Sequence, residues 1–191
     1  MAITKNTPVK EILAIGSVCS KCGHCCSFGS GFTLEEELRA IAKHLKIDKE
    51  KLKKDFFVEK NVFETIVHTP KLKTKDGMPF GNCIFLENKR CKIHEVKPLH
   101  CRVGNCNGDG EKISEWYTVN YLVDKKNPKS IRQWNIRVEV KPAILDGAKP
   151  EEIVGKKKLK EILDYKEMEK RIIFTEVMKY DNSKKRKNNR N

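Results

Sequence analysis

Cys19-Ser20-Lys21-Cys22-Gly23-His24-Cys25-Cys26 puts four thiols within eight residues, at the spacing C-x2-C-x2-C-C. An apolar core does not call for that pattern, because cysteines buried as small hydrophobes give no reason for the x2 gaps. Each gap lets two sulfurs turn back toward one point, as the thiolate ligands of zinc or iron do. Gly23 stands where such a turn needs a positive φ, which glycine reaches at little steric cost. Cys25 and Cys26 are adjacent, and in extended backbone neighbouring side chains diverge. One of the pair is therefore expected to serve a second metal or to be a structural thiol. The run differs from that of ferredoxins, whose fourth cysteine lies three residues on and precedes proline.

Outward from this cluster, Cys83, Cys91, Cys101 and Cys106 bring the total to eight. Their spacings match no simple zinc finger. Together with the first group they suffice for two four-thiolate sites, or for one polynuclear cluster with spare ligands. Cys19, Cys22, Cys25, Cys26, Cys83, Cys91, Cys101 and Cys106 are thus the candidate ligands of zinc or of an iron–sulfur cluster, 4Fe-4S in type. Lys89, Arg90, Lys92 and Arg102 are expected to lower thiol pKa values and balance the negative charge of such a centre. His24 and His100 adjoin ligands and are expected to support them or to be solvated, since sulfur is ample. His44, His68 and His94 have no partner spacing and read as surface or core residues.

Forty basic residues against 26 acidic ones give a net charge of +14. A field of that sign favours acidic partners, nucleic acid among them. The basic residues also run along the whole chain, as on a solvated Lys/Glu surface with mixed ion pairs. No apolar run approaches the ~20 residues of a membrane span. The segment from Ile12 to Val18 is short for a signal peptide and abuts Glu11. A cytoplasmic location is therefore expected, where cysteines are metal ligands rather than a disulfide framework. At 191 residues the expected organisation is one cysteine-cluster domain over 1–180, with a core at 15–106 and a C-terminal extension at 107–180. A disordered basic tail is expected at 181–191.

Residues 12–18 read as a short helix or strand seating the cysteine loop. Thr33 and Glu36 form a capping-box pair, and Leu34, Leu38, Ile41 and Leu45 make one apolar face, so a helix is expected from Thr33. Its three leading acids, Glu35-Glu36-Glu37, suit the helix dipole. Asp48 caps a second helix over 49–60, giving a helical hairpin. A strand is expected at 62–67, another at 71–75, an Asp76-Gly77 turn and a return strand from Cys83 to Leu86. One helical turn follows at 93–96. Residues 112–123 suit helix or strand, the alternation from Ile136 to Val140 suits a strand, and 156–180 suits a long helix. Gly23, Gly29 and Gly31 lack the Gly-Lys-Ser/Thr of a phosphate loop, and Trp116 and Trp134 read as core aromatics.

Cys19-x2-Cys22-Gly23-x-Cys25-Cys26, Thr33-Leu34-Glu35-Glu36-Glu37, Cys83-Ile84-Phe85-Leu86, Cys91-x-Ile93 and Pro98-x2-Cys101-Arg102 occur in that order. The set resembles the CxxCxxCC family of zinc- or iron-chelating cysteine-cluster proteins over about residues 15–103. The resemblance marks Cys19, Cys22, Cys25, Cys26, Cys83, Cys91 and Cys101 as ligands, with Arg102 as a basic partner. Cys106 lies outside its pattern. Lys97-Pro98 stands where the family has Arg-Pro, and Val103-Gly104 replaces its aromatic-proline. Similar cysteines in flagellin lysine N-methylases imply that a methyl-transfer version of the scaffold exists.

The expected fold is α+β: a metal-stapled core of short antiparallel strands and loops, a helical hairpin and a long C-terminal helix. The expected function is metal binding through cysteine thiolates. Two alternatives stay open: a metal-dependent enzyme, methylase-like or redox, and a zinc-stabilised basic nucleic-acid binder.

Overall fold

A computed structural model describes residues 2–16, 22–74, 78–104 and 108–168. Expectations for Cys19, Cys106, the Asp76-Gly77 turn, 169–180 and the basic tail lie outside the described residues. The fold is α+β, as expected. Helix α1 (Val9–Gly16) settles the seating segment as helix, with Ile12 fully buried. Helix α2 (His24–Phe28) follows Gly23, whose φ of 77° is the left-handed turn the spacing implied.

Thr33 does not cap a helix. Its backbone bridges His68, with Thr33 N–H donating to His68 O at 2.8 Å and His68 N–H returning to Thr33 O at 2.9 Å. A buried pairing partner outcompetes the local cap, and helix α3 (Leu38–Leu45) starts five residues later. Helix α4 (Lys49–Phe56) is capped as expected, Asp48 Oδ1 accepting from the Glu50 and Lys51 amides. It ends four residues early, where strand β1 (Phe57–Val62) begins and pairs antiparallel with β2 (Thr65–Pro70). The strand expected at 62–67 is therefore interrupted by a hairpin turn: Val62 ends β1, Phe63 and Glu64 turn at φ 51° and 63°, and Thr65 to Val67 open β2. A turn with two positive φ values matches the twist of its strands, which places the β-branched residues on both sides of it.

Strands β3 (Leu72–Thr74) and β4 (Gly81–Cys83) form a second ribbon; β5 (Leu86–Glu87) and β6 (Arg90–Cys91) form a third, turning through Asn88 and Lys89 at φ 48° and 62°. The return strand expected over 83–86 is thus split between two ribbons. A single 3-10 turn (His94–Val96) leads to α5 (Leu99–Val103).

Helix α6 (Gly110–Tyr117) runs on as a π-helical turn, Thr118–Leu122, which decides 112–123 for helix. The alternation at 136–140 is likewise helical, in α7 (Pro128–Val140). Asn127 caps it by accepting from the Lys129 amide at 3.0 Å, and Pro128 opens it, while Ile131 and Trp134 bury one side. Helix α8 (Pro150–Val154) precedes α9 (Lys156–Leu163). The long helix expected over 156–180 is broken at Asp164 and Tyr165 and is helical again at 166–168, beyond which it lies outside the described residues. Arg132 donates to the Ile162 carbonyl at 2.9 Å and lies over the Tyr165 ring at 4.4 Å, and Tyr165 turns the chain at φ 55°.

Two apolar clusters result. The larger gathers Ile12, Leu99, Val103, Ile113, Trp116, Tyr117, Ile131 and Trp134. The smaller holds Leu38, Ile41, Leu52, Phe57, Phe85 and Ile93, with Cys83 among them and Cys26 and Cys91 against it.

Candidate metal centre

Two ribbons and two short helices carry the described thiols that follow Cys22, of which Cys83 is buried and Cys25 exposed. Register pairs Leu72 with Cys83 and Leu86 with Cys91, so one cysteine ends each small ribbon. Helix α2 carries Cys25 and Cys26, and α5 carries Cys101. Gly23 keeps α2 close to the β5–β6 turn: a Cβ there would lie 3.1 Å from the Lys89 carbonyl oxygen. Gly31 does the same beside α5, where a Cβ would lie 2.5 Å from Cys101 Sγ.

The electrostatics show which thiols act on one another. Cys26 is pushed up by its hydrogen bond to Cys25, by burial and by the charges of Cys25, Cys83 and Cys101. Cys25 falls to about 6, first because Cys26 S–H donates to its thiolate, and also through the Lys97 cation. Burial raises Cys83, and repulsion from Cys91 and Cys25 adds to it. Burial pushes Cys101 up to about 12, partly offset by the Gly31 amide, with Cys83 and Cys91 raising it further. Cys25, Cys26, Cys83, Cys91 and Cys101 are therefore linked electrostatically into one group. Cys22 is exposed at the start of α2. Among the described residues no three donors already stand at metal-ligand separations.

Cys25 and Cys26 have Sγ atoms 3.8 Å apart. The expectation that adjacent thiols diverge assumed extended backbone; on helix α2 they lie side by side. A tetrahedral ion with metal–sulfur bonds of about 2.3 Å separates its sulfurs by about 3.8 Å, so this pair suits one ion. The soft, all-sulfur donor set also suits zinc or iron.

A cleft of about 490 Å³ opens over the group, with Cys25, Cys26 and Cys91 in its wall beside Lys89, Arg90 and Lys97. Of the four cations expected to balance the thiols, Lys92 is instead held by Glu87 at 3.1 Å and Arg102 does not line the cleft. Lys97, which sequence reasoning passed over, is the cation that lowers both Cys25 and Cys101.

His100 is not posed as a ligand through Nδ1, which accepts from the Phe32 amide at 3.2 Å. Burial pushes it down to about 4, and its ring sits 4.6 Å from that of Tyr117. It ties the 30–32 segment to α5 in its neutral form. Glu37 acts similarly, accepting from Leu34 N–H at 2.8 Å and from Leu99 N–H at 2.6 Å, at the start of the helix bearing Cys101. Glu35 holds the buried His68 at 2.7 Å, together with Lys49 and Lys53. The acidic triplet was the signal for both roles; reading it as dipole compensation missed them, because His68 and the Leu99 amide lie 33 and 62 residues away.

A family model described as "Putative zinc- or iron-chelating domain" matches residues 18–127. The chain is also similar to an uncharacterized protein of Methanocaldococcus jannaschii, 31% identical over 106 residues that cover 53% of this chain and 52% of that relative. The chain thus aligns with about half the length of the curated relative it matches. No solved structure matches.

Proposed function

The chain belongs to the CxxCxxCC family, and from that membership we propose a metal-binding protein that holds zinc or an iron–sulfur cluster through its cysteine thiolates. One observation carries the reading: Cys26, Cys83 and Cys101 are each pushed up in part by the charges of other cysteines of the group, across as many as 75 residues of sequence. Cys25 and Cys26 would take adjacent positions on one ion. Cys83, Cys91 and Cys101 would supply the remaining ligands, and Cys19, Cys22 and Cys106 stand in reserve by sequence. Bound there, the metal would staple helices and ribbons whose own core is small. Such a thiolate centre suits the reducing cytoplasm.

Metal analysis of protein purified without oxygen tests this. Stoichiometric iron with sulfide and a brown, visibly absorbing preparation identifies a cluster; a colourless, zinc-loaded one identifies zinc. Protein that carries neither in stoichiometric amount, even after reconstitution, overturns the reading.

The open cleft beside the thiols supports a second reading, an enzyme with a solvent-reachable coordination position. Redox cycling of a dye by the loaded protein, or methylation of lysate proteins, would support it.

A further inference from the structure

We propose that the cleft over the cysteines binds a small molecule bearing at least two anionic groups, carboxylates or phosphates. The proposal names the class of ligand the metal centre would meet, and rests on the metal-binding reading for that meeting alone.

Size comes first. At about 490 Å³ the cleft falls within the range that small-molecule pockets occupy. Charge comes next. Among the described residues Lys89, Arg90 and Lys97 line it, no acidic residue does, and none of the three has a carboxylate partner. Their neighbour Lys92 shows the contrast, since Glu87 neutralises it outside the cleft. Three cations without carboxylate partners around one concavity favour an anion there. Arg90 adds the planar fork that receives a carboxylate or phosphate bidentately.

The backbone that bears the cations is fixed. Lys89 sits at φ 62° in the two-residue turn between β5 and β6, and its carbonyl oxygen is the wall against which Gly23 packs. Arg90 pairs with Glu87 in the ribbon register, and Lys97 precedes the proline that starts α5. Leu86 gives the cleft an apolar wall on which the ligand's carbon skeleton can rest.

A duller role for these cations is to balance the charge of a thiolate centre. The two roles separate experimentally, because charge balance predicts metal loss when the cations are neutralised and ligand binding does not.

The test uses the full-length protein, purified anaerobically with its metal. Inorganic phosphate and succinate are titrated in by calorimetry and by amide NMR, at ionic strength held constant with chloride. Saturable binding in the millimolar range or tighter is expected from at least one probe, with shifts confined to residues 23–26 and 86–97. The double variant Lys89→Asn, Arg90→Gln, which keeps the Lys97 cation that acts on Cys25 and Cys101, should bind at least about tenfold more weakly while keeping its metal. Asparagine suits the left-handed φ at 89. If the double variant is poorly soluble, Lys89→Asn alone should weaken binding about threefold, and Lys97→Arg should leave it unchanged. Absence of saturable binding, unchanged affinity in the double variant or in Lys89→Asn, or metal loss in the double variant overturns the proposal. Parent protein without stoichiometric metal that still binds the probes overturns the metal reading and leaves the anion site standing.

Discussion

The cysteine-bearing region and the helical region are built on different physics. Around Trp116, Trp134, Tyr117 and Ile131, seventeen buried hydrophobic residues form one cluster among the described residues, and both indoles find acceptors, Trp116 on Thr7 O at 2.9 Å and Trp134 on Ala148 O at 2.8 Å. The cysteine region has eight, one of them Cys83, beneath ribbons as short as two residues per strand. Large apolar burial holds the first by itself. Two-stranded ribbons are marginal alone in water, so the second needs another source of stability, and the converging thiols point to a metal.

Removing the metal should break the comparison most sharply. Structural zinc contributes on the order of 10 kcal/mol, so anaerobic chelation should lower amide-exchange protection at 81–101 by more than about a hundredfold. Residues 113–140 should change by less than about threefold. Equal loss in both regions would show one cooperative core. Trp134→Ala attacks the other side. It should cost about 3–5 kcal/mol in urea unfolding, with metal stoichiometry kept in the folded fraction.

Gly31→Ala tests the closeness of the cysteine region. A Cβ 2.5 Å from Cys101 Sγ must displace it, costing about 1–3 kcal/mol and weakening metal affinity by about tenfold or more in competition titrations. Glu37→Gln probes the joint between the regions. Weakening the charged acceptor of the Leu34 and Leu99 amides should cost about 1–2 kcal/mol.

The smallest effect is set by pH. Glu35 is held down at about 2 from its ordinary 4.5, chiefly by Lys49 and then by His68 and Lys53. Its contribution is present in full above pH 4.5 and is lost as pH falls toward 2. Glu35→Gln should flatten that limb of the stability profile in thermal melts; an unchanged limb would remove Glu35 from the account.

Local signals were legible where partners lie near in sequence. Asp48 capped its helix, Gly23 took its positive φ, and Trp116 and Trp134 entered the core. Reading failed where a distant partner outbid a local preference: Thr33 joined His68 instead of capping, and Arg132 held the end of α9. The alternation at 136–140 failed for another cause, since a helix with one buried side and mixed exposed residues can mimic a two-residue period.

The order and spacing of the cysteines alone determined the family and the kind of chemistry, because ligand chemistry is written in residue type and short-range separation. Tertiary structure alone decided that Cys25 and Cys26 stand side by side, that Glu37 and Gly31 seat Cys101, and that Lys89, Arg90 and Lys97 surround one cleft. Each of those depends on a backbone conformation or on chain segments meeting across long loops, and neither follows from a residue's neighbours in sequence.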